Sequence, residues 1–218
     1  MEDHPFDRRR RARPHPAGGH VGVFLGGYSG GVMHTGAVAV GQLLVANQPG
    51  RGGYFDRTVV LLLEHNNEGS LGVCLNLLSD LPASSIQESF RDHMSPPARV
   101  FEGGPVNPDV AIALGEPATP DSPPPGWERV VGDIGVVDLN FPPELMESSF
   151  SQLRLFVGLS GWAAGQLQSE LIRGSWFRVP ARTEDVFGHP EGLWRRVLRR
   201  VGGATGRWST WTEDPTLN

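Results

Sequence analysis

The sequence of 218 residues contains no lysine, and all 19 of its cationic side chains are arginines. Without a lysine amine, a chain cannot form a Schiff base with a carbonyl substrate or with pyridoxal phosphate. It also lacks the lysine that the phosphate-binding loop of nucleotide hydrolases requires. Amine-dependent catalysis and this type of nucleotide hydrolysis are therefore excluded.

Cysteine is almost as scarce, since Cys74 is the only one. A single thiol cannot form a disulfide within the chain, and it excludes zinc sites built from several cysteines. Cys74 lies in an apolar run without a neighbouring cation, so we predict a buried, unreactive thiol. Runs of about 18 apolar residues are also absent, so we expect no transmembrane helix. A reducing compartment, the cytoplasm, fits this composition, and a secreted protein with few cysteines stays open as the alternative.

The charges divide the chain into two parts. Residues 1–33 carry five arginines and three acids, a net charge of +2, whereas the remainder carries 14 arginines and 21 acids, a net charge of −7. We predict that this Arg- and Gly-rich segment is a disordered, dispensable extension. A start codon placed before the true start at Met33, an export signal and an arm that binds nucleic acid remain open for it. The acidic remainder argues against a nucleic-acid surface.

Glycine (29 residues) and proline (19 residues) are roughly twice as frequent as in average proteins, which favours turns over a helix bundle. Apolar runs at 57–65 and 70–75 flank an Asn/Gly turn and predict a hairpin that is buried on both faces. Further strands are predicted at 100–101, 110–114, 134–139, 153–159 and 175–179, and helices at 84–94, 142–150, 163–173 and 191–201. The irregular mixture predicts one α+β domain over residues 34–203, with 204–218 as a C-terminal tail.

Two serines lie in motifs that resemble the nucleophile elbow of hydrolases. The motif around Ser29 is flanked by glycines and no predicted helix follows it. Ser160 lies between a predicted strand and a predicted helix, but the glycine after it comes one position early. We therefore predict that Ser160 caps a strand-to-helix turn. Histidines and acids lack the short spacings of metal ligands, so we predict no catalytic group, metal or cofactor.

The last predicted helix carries four arginines on one face, opposite an apolar face. They are Arg195, Arg196, Arg199 and Arg200. A solvated face with cations near the helix C-terminus is the simpler interpretation. A basic patch for an acidic protein, RNA or lipid headgroups is the alternative.

Several motifs follow one another between Gly41 and Phe187. They are Gly41-Gln42-Leu43-Leu44-Val45-Ala46, the run from Phe55 to His65, the run from Gly69 to Asn76, Gly103-Gly104-Pro105-Val106, and the run from Gly161 to Glu170 with Gly174-Ser175-Trp176. In this order and spacing, they resemble the YqgE/AlgH family of small bacterial proteins.

The resemblance implies an α+β domain whose mostly antiparallel β-structure is curled into a pseudo-barrel with helices packed outside. It also implies a bacterial cytoplasmic protein without an established activity. Some relatives are labelled transcriptional regulators, yet this sequence contains no helix-turn-helix pattern. Leu77 and Leu78 stand where the family usually has Arg-Pro, and Ser160 stands where relatives have alanine, so we do not expect Ser160 to be a nucleophile.

The matched motifs contain polar, aromatic and glycine residues that we predict to form a surface for a ligand or partner. They are Glu64, His65, Asn76, Gly103, Gly104, Trp162, Gln166 and Glu170. We expect a non-catalytic binding or regulatory protein whose partner is a protein or a small molecule. One alternative is a hydrolase-like enzyme with a cleft around Glu64, His65 and Ser160. The other is a transcriptional regulator associated with nucleic acid.

Overall fold

The computed structural model of the chain describes residues 37–47, 49, 53–86, 88 and 92–212. The extension predicted for residues 1–33 therefore lies outside the described residues, as does the end of the predicted tail. The described part holds no helix that is long and apolar enough to cross a membrane.

Within these residues, ten strands form one sheet and five short α-helices accompany it. The strands are β1 (Gln42–Ala46), β2 (Val59–Asn66), β3 (Gly69–Cys74), β4 (Leu78–Pro82), β5 (Arg99–Glu102), β6 (Val106–Pro117), β7 (Trp127–Val131), β8 (Ile134–Val137), β9 (Phe150–Ala163) and β10 (Trp176–Pro180). The helices are α1 (Met146–Ser149), α2 (Gln166–Ile172), α3 (Thr183–Phe187), α4 (Leu193–Val201) and α5 (Gly203–Gly206).

The hairpin of β2 and β3 is buried on both faces, as the sequence predicts. Side chains in a strand alternate between the faces of the sheet. Accordingly, Val59 and Leu61 join one core cluster, whereas Val60 and Leu62 join another. A continuous apolar run is therefore needed to bury both faces of β2.

The sheet is antiparallel along its main path and curls on itself. The strand order is β10-β1-β2-β3-β9-β6-β8-β7, while β5 runs parallel to β9 and pairs with β4. The two ends of this path approach each other, because a Cβ added to Gly41, just before β1, would lie 2.5 Å from Cβ of Val131 in β7. The resulting half-barrel confirms the predicted α+β class with a mostly antiparallel, curled sheet.

Helices cover the sheet where apolar side chains remain. Leu193, Trp194 and Val197 of α4 join the core cluster that contains residues from both ends of the curled sheet. Leu167 of α2 covers the cluster on the opposite face of β2. The indole of Trp194 also donates a hydrogen bond of 2.7 Å to the carbonyl of Ala46, which fixes α4 against β1.

Strand β9 organises the sheet because it pairs with three other strands. It runs antiparallel to β6 along one edge, and its other edge pairs first with β5 and then with β3. The chain leaving β5 crosses β9 in direct backbone contact. A Cβ on Gly103 would lie 2.2 Å from the carbonyl oxygen of Gly158, and one on Gly104 would lie 2.2 Å from the carbonyl of Leu159. Only glycine permits this approach.

The strand-to-helix turn predicted at Ser160 is wrong. β9 continues through Ser160 to Ala163, and the helix begins at Gln166. Gly158 serves the backbone crossing rather than a turn, because a Cβ on it would lie 2.3 Å from the carbonyl oxygen of Gly104. The Ser160 hydroxyl donates a hydrogen bond of 2.9 Å to the carbonyl of Gly103.

The helix predicted at 84–94 is also not observed in the described part of that range. Leu78–Pro82 forms strand β4, and a 3-10 turn, Ala83–Ser85, follows it. β4 pairs with β5 alone and leaves Leu78 and Leu81 exposed, so it lacks the burial pattern that reveals a strand. Residues 87 and 89–91 of the predicted helix lie outside the described residues.

A buried arginine connects β9 to the loop at Pro96 and to the C-terminal end of α3. Arg154 is 1% exposed, and its guanidinium donates to the carbonyls of Pro96, Val186, Phe187 and Gly188. It lies 4.4 Å from the centroid of the Phe101 ring. Burial lowers its pKa to about 10, so the side chain remains cationic at neutral pH.

The backbone crossing leads to a prediction about two neighbouring glycines. Gly104 has φ +154, so Gly104→Ala combines backbone strain with a clash against Leu159. We expect a loss of about 3 kcal/mol or more in unfolding free energy, which corresponds to a fall in Tm of about 6–12 °C for a domain of this size. Calorimetry or thermal circular dichroism measures this change.

Gly161→Ala, in the strand that this backbone crosses, is the matched control. Its added methyl would meet a side-chain methyl of Val106 at 3.3 Å, and no backbone atom lies near it. We expect its Tm to change by only a few degrees. Equal losses in both variants would contradict the assigned role of the crossing.

Candidate functional site

The carboxylate of Glu170 on α2 joins two tryptophans from different strands. Its Oε2 accepts hydrogen bonds of 2.8 Å from the indole nitrogens of Trp162 in β9 and Trp176 in β10. Its Oε1 accepts a bond of 3.0 Å from Gln166, one turn earlier on the helix. Both indoles are buried, and a buried indole N–H needs an acceptor. Glu170 supplies that acceptor and fastens α2 to the sheet.

Aromatic rings extend this arrangement towards the 53–58 loop. The Phe55 ring lies 6.4 Å from Trp162 and 5.6 Å from Trp176 between centroids, and the two indoles are 5.9 Å apart and nearly perpendicular. Tyr54 packs edge-on against Phe55 at 5.1 Å. Such offset and perpendicular pairs are the favoured geometries of aromatic contacts.

Asn76 holds the loop that carries these rings. Its Oδ1 accepts a hydrogen bond of 2.9 Å from the backbone N–H of Val59, and its Nδ2 donates one of 2.9 Å to the carbonyl of Arg57. Both amide atoms therefore brace the loop where it enters β2. Asn76 acts on the candidate site through this support.

An open cleft of about 720 Å³ lies between the 53–56 loop and the turn from α2 to β10. We call it the aromatic cleft, and its lining comprises Ala46, Asn47, Gly53, Tyr54, Phe55, Asp56, Glu170, Arg173, Gly174, Ser175 and Trp176. Sites for small organic molecules commonly have this volume and combine ring surfaces with a few polar groups. Burial is the main cause that raises the pKa of Tyr54 to about 12, and the nearby Cys74 and Glu102 raise it further. The phenol is therefore neutral at neutral pH.

Asn47 lies in the lining of this cleft and is tied to the turn that precedes β10. Its Nδ2 donates a hydrogen bond of 2.6 Å to the carbonyl of Gly174, and its backbone N–H donates to the carbonyl of Ser175. Its Oδ1 is buried and has no donor among the described residues. Exchanging the two amide atoms would bring oxygen against oxygen at Gly174, so the orientation is fixed.

A second, smaller pocket of about 220 Å³ lies beside Trp162. Glu64, Asn66, Ser70 and Trp162 are among the residues that line it. His65 is exposed, and its Nδ1 lies 2.7 Å from the hydroxyl of Ser70, its cross-strand neighbour. The Glu64 carboxylate accepts a hydrogen bond of 2.8 Å from Asn66.

The predicted surface residues thus fall into three groups. Trp162, Gln166 and Glu170 form one hydrogen-bonded cluster beside the aromatic cleft, and Glu64 and His65 lie near the smaller pocket. Asn76 braces the 53–58 loop. Gly103 and Gly104 belong to the backbone crossing and do not line either pocket.

The buried groups Ser160 and Cys74 contact each other and the crossing. Ser160 is 0% exposed, and its Oγ lies 3.4 Å from the Cys74 sulfur as well as donating to Gly103. Burial raises the pKa of the Cys74 thiol to about 12. The predicted burial of Cys74 is confirmed. His65 pairs with Ser70 rather than with Ser160.

The arginines of α4 mostly hold the protein's own backbone and carboxylates. Arg195 donates to the carbonyls of Ser209 and Trp211, and Arg196 donates to those of His189 and Glu191. Arg200 binds both carboxylate oxygens of Asp185 at 2.8 Å, while Arg199 is exposed. These contacts fasten α3 and the segment 203–212 to α4. No cluster of metal-ligating side chains occurs among the described residues.

The sequence did not reveal the aromatic cleft itself. Asn47, Tyr54, Phe55 and Trp176 lie in it, although Phe55 and Trp176 belong to the motifs matched above. Two tryptophans placed on either side of a short helix that carries an acid were the available signal. Asn47 gave none, because an asparagine after a strand is typical of an ordinary turn.

Comparison with known proteins identifies similar chains. A sequence model described as AlgH-like matches residues 43–206. The UPF0301 protein of Streptomyces avermitilis is 45% identical over 182 residues, and that of Thermobifida fusca is 41% identical over 190 residues. Each match covers 82% of this chain and 94% of the relative.

Two solved structures share the fold. A crystal structure of protein DIP2367 from Corynebacterium diphtheriae has a TM-score of 0.75 at 29% identity and covers 82% of this chain and 95% of its own. The solution structure of the AlgH protein from Pseudomonas aeruginosa has a TM-score of 0.57 at 22% identity. It covers 84% of this chain and 100% of its own, and it supports the fold alone.

Because two indoles share the Glu170 carboxylate, we expect Glu170→Leu to lower the free energy of unfolding strongly. This change leaves two buried indole N–H groups without an acceptor, and we expect it to cost about 2–4 kcal/mol of unfolding free energy. Chemical denaturation followed by tryptophan fluorescence measures the loss. Gln166→Ala removes one exposed partner of the same carboxylate and should cost about 1 kcal/mol or less. A Glu170→Leu protein as stable as wild type would contradict this assignment.

The thiol pKa leads to a separate prediction. The pKa of the Cys74 thiol is about 9 in the unfolded chain and about 12 in the folded chain. The protonated thiol therefore contributes fully to the free energy of unfolding below pH 9, and this contribution is lost as the pH rises towards 12. At pH 8, native Cys74 should react with a disulfide reagent on the order of a thousandfold more slowly than the unfolded chain. Absorbance of the released thiolate follows the reaction, and Cys74→Ser provides the blank. Equal rates in the two states would overturn the assignment.

Proposed function

Since this chain belongs to the AlgH-like family, we propose that it is a non-catalytic binding protein whose site is the aromatic cleft. In this proposal, the cleft takes a small organic group between the 53–56 loop and the turn from α2 to β10. The observation that carries the proposal is the joint presence of ring surfaces and a fixed carboxylate in one cleft.

The rigidity of the cleft supports a binding role. Trp176 and Glu170 hold each other through a hydrogen bond, while Asn76 braces the opposite loop at two points. Asn47 ties the end of β1 to the turn that precedes β10. A preformed site loses little conformational entropy when it binds a ligand.

The positions of potential reactive groups support a role without catalysis. Ser160 lies inside the sheet and its hydroxyl is bound to the Gly103 carbonyl, so a substrate has no access to it. Burial keeps the Cys74 thiol protonated at neutral pH. The Glu170 carboxylate already accepts three hydrogen bonds from its own chain.

We further propose that the protein acts in the cytoplasm, as the family resemblance implies. If it regulates another process, binding in the cleft is the means that we favour over contact with nucleic acid. Arg195, Arg196 and Arg200 support this preference, because their guanidinium groups are engaged within the protein. Phosphate binding depends on available cations.

A variant that fills the cleft tests this proposal. Ser175 is exposed in the lining, and its hydrogen bonds to Glu170 and Asn47 use backbone atoms, so Ser175→Trp should fill the cleft without disturbing the core. We expect fragments that bind the wild-type chain, detected by saturation-transfer NMR, to lose binding in this variant.

Gln168→Trp is the matched control. It adds the same side chain to an exposed position of α2 outside the cleft lining. Fragment binding should persist in this variant. If every bound fragment survives Ser175→Trp, the cleft is not the binding site and the proposal fails.

A further inference from the structure

We propose that the segment 207–212 is a strap that holds the 53–57 loop in the conformation that forms one wall of the aromatic cleft. Trp211 of the strap acts on the loop through Arg57. This inference rests on the proposed binding function of the cleft and adds a means of regulating the same site. It follows from the contacts that anchor the strap and from the strained backbone of the loop.

The strap is anchored before it reaches the loop. It comprises a 3-10 turn, Arg207–Thr210, and the two residues that follow it. Trp208 packs against the main core cluster. The guanidinium of Arg195 on α4 donates hydrogen bonds of 2.7 Å to the carbonyl of Ser209 and 2.8 Å to that of Trp211. These anchors give the Trp211 ring a fixed base.

Trp211 and Arg57 connect the strap to the loop. The guanidinium carbon of Arg57 lies 4.9 Å from the centroid of the Trp211 ring, and both residues are half-buried. The negative face of an indole attracts a cation, and the attraction is stronger where solvent is partly excluded. Arg57 directly follows Asp56, which lines the aromatic cleft. The strap therefore acts on the wall of the cleft from outside its lining.

The loop depends on this support because its backbone is strained at Arg57. The φ of +54 lies in the left-handed region, which residues other than glycine rarely adopt, and it persists only where surrounding contacts impose it. The Asn76 amide donates a hydrogen bond of 2.9 Å to the carbonyl of Arg57. The Thr58 hydroxyl donates one of 2.9 Å to the carbonyl of Phe55. These bonds hold the backbone, and Trp211 holds the Arg57 side chain.

The strap and the loop are therefore coupled in both directions. If Trp211 favours the strained conformation of the loop, linkage requires that this conformation favours the bound position of Trp211 by the same factor. A ligand that binds the loop within the cleft then tightens the strap, and a partner that withdraws the strap loosens the wall of the cleft. The strap thereby provides a point of control outside the cleft lining.

Hydrogen exchange of the full chain, followed by NMR, tests the first direction. The amides of Asp56 and Thr58 donate to carbonyls within the loop, so their exchange reports its opening. Trp211→Ala should speed this exchange about fivefold, as the loss of a partly shielded cation–ring contact implies. Thr210→Ala, at an exposed position of the same strap, is the matched control and should leave it unchanged. Amides of β6 and β9 should keep their wild-type rates in both variants.

The second direction is tested from the loop. The Trp211 amide donates a hydrogen bond of 3.1 Å to the carbonyl of Trp208, so its exchange reports release of the strap. Arg57→Met removes the cation and keeps an unbranched side chain. It should speed exchange at Trp211 by a similar factor, about fivefold. Tyr54→Phe, which changes the same loop and keeps Arg57, is the matched control and should have no effect.

Two results would overturn the inference. The first is exchange at Asp56 and Thr58 that Trp211→Ala leaves at the wild-type rate or accelerates no more than exchange throughout the sheet. The second is an effect of Trp211→Ala that is as large in the Arg57→Met background as in wild type, because the contact between the two side chains would then not transmit it. These measurements use no ligand. Failure of the fragment experiment would therefore refute the binding function of the cleft and leave the coupling of strap and loop intact.

Discussion

The contact between the Gly103–Gly104 backbone and strand β9 is the constraint on which the rest of the structure depends. The carbonyl of Gly103 accepts hydrogen bonds of 2.9 Å from the backbone of Cys74 in β3 and from the hydroxyl of Ser160 in β9. One oxygen thereby sets the separation of two strands at the point where β3 replaces β5 along the edge of β9. Trp162 lies two residues after Ser160 in β9, so the same contact determines where Trp162 lies in the candidate site. Glycine at the crossing is therefore a requirement of the site as well as of the fold.

A carboxylate shared by two indoles solves a packing problem that large rings create. Trp162 and Trp176 cover the apolar face of β2, and each brings a polar N–H into that cluster. Glu170 satisfies both donors with one atom, so the rings can be buried without separate partners. The same solution places a negative charge at the edge of an aromatic cluster. The chemistry of the aromatic cleft thus follows from how the second face of the sheet is closed.

The sequence revealed those elements whose burial leaves a pattern, and it missed those defined by contacts between distant segments. The run at 57–65 identified β2 because both of its faces are buried, and the spacing of apolar residues identified α4. Strand β4 was not predicted because it pairs with one strand alone and its leucines are exposed. Ser160 was misassigned because glycines for a backbone crossing look like glycines for a turn. Asn47 reveals its role only once the carbonyl of Gly174, 127 residues away, lies against its amide.

The use of arginine gives this acidic protein a way to join distant backbone segments with its 19 guanidinium groups. A planar guanidinium can bind several carbonyls at once, which the single ammonium of lysine does less well. Arg154 holds four carbonyls in the interior, and Arg195 and Arg196 each hold two at the surface. An arginine that is bound to backbone carbonyls is not available to neutralise a side-chain carboxylate elsewhere. Arg154, Arg195 and Arg196 therefore join separate backbone segments of the fold rather than neutralise its carboxylates.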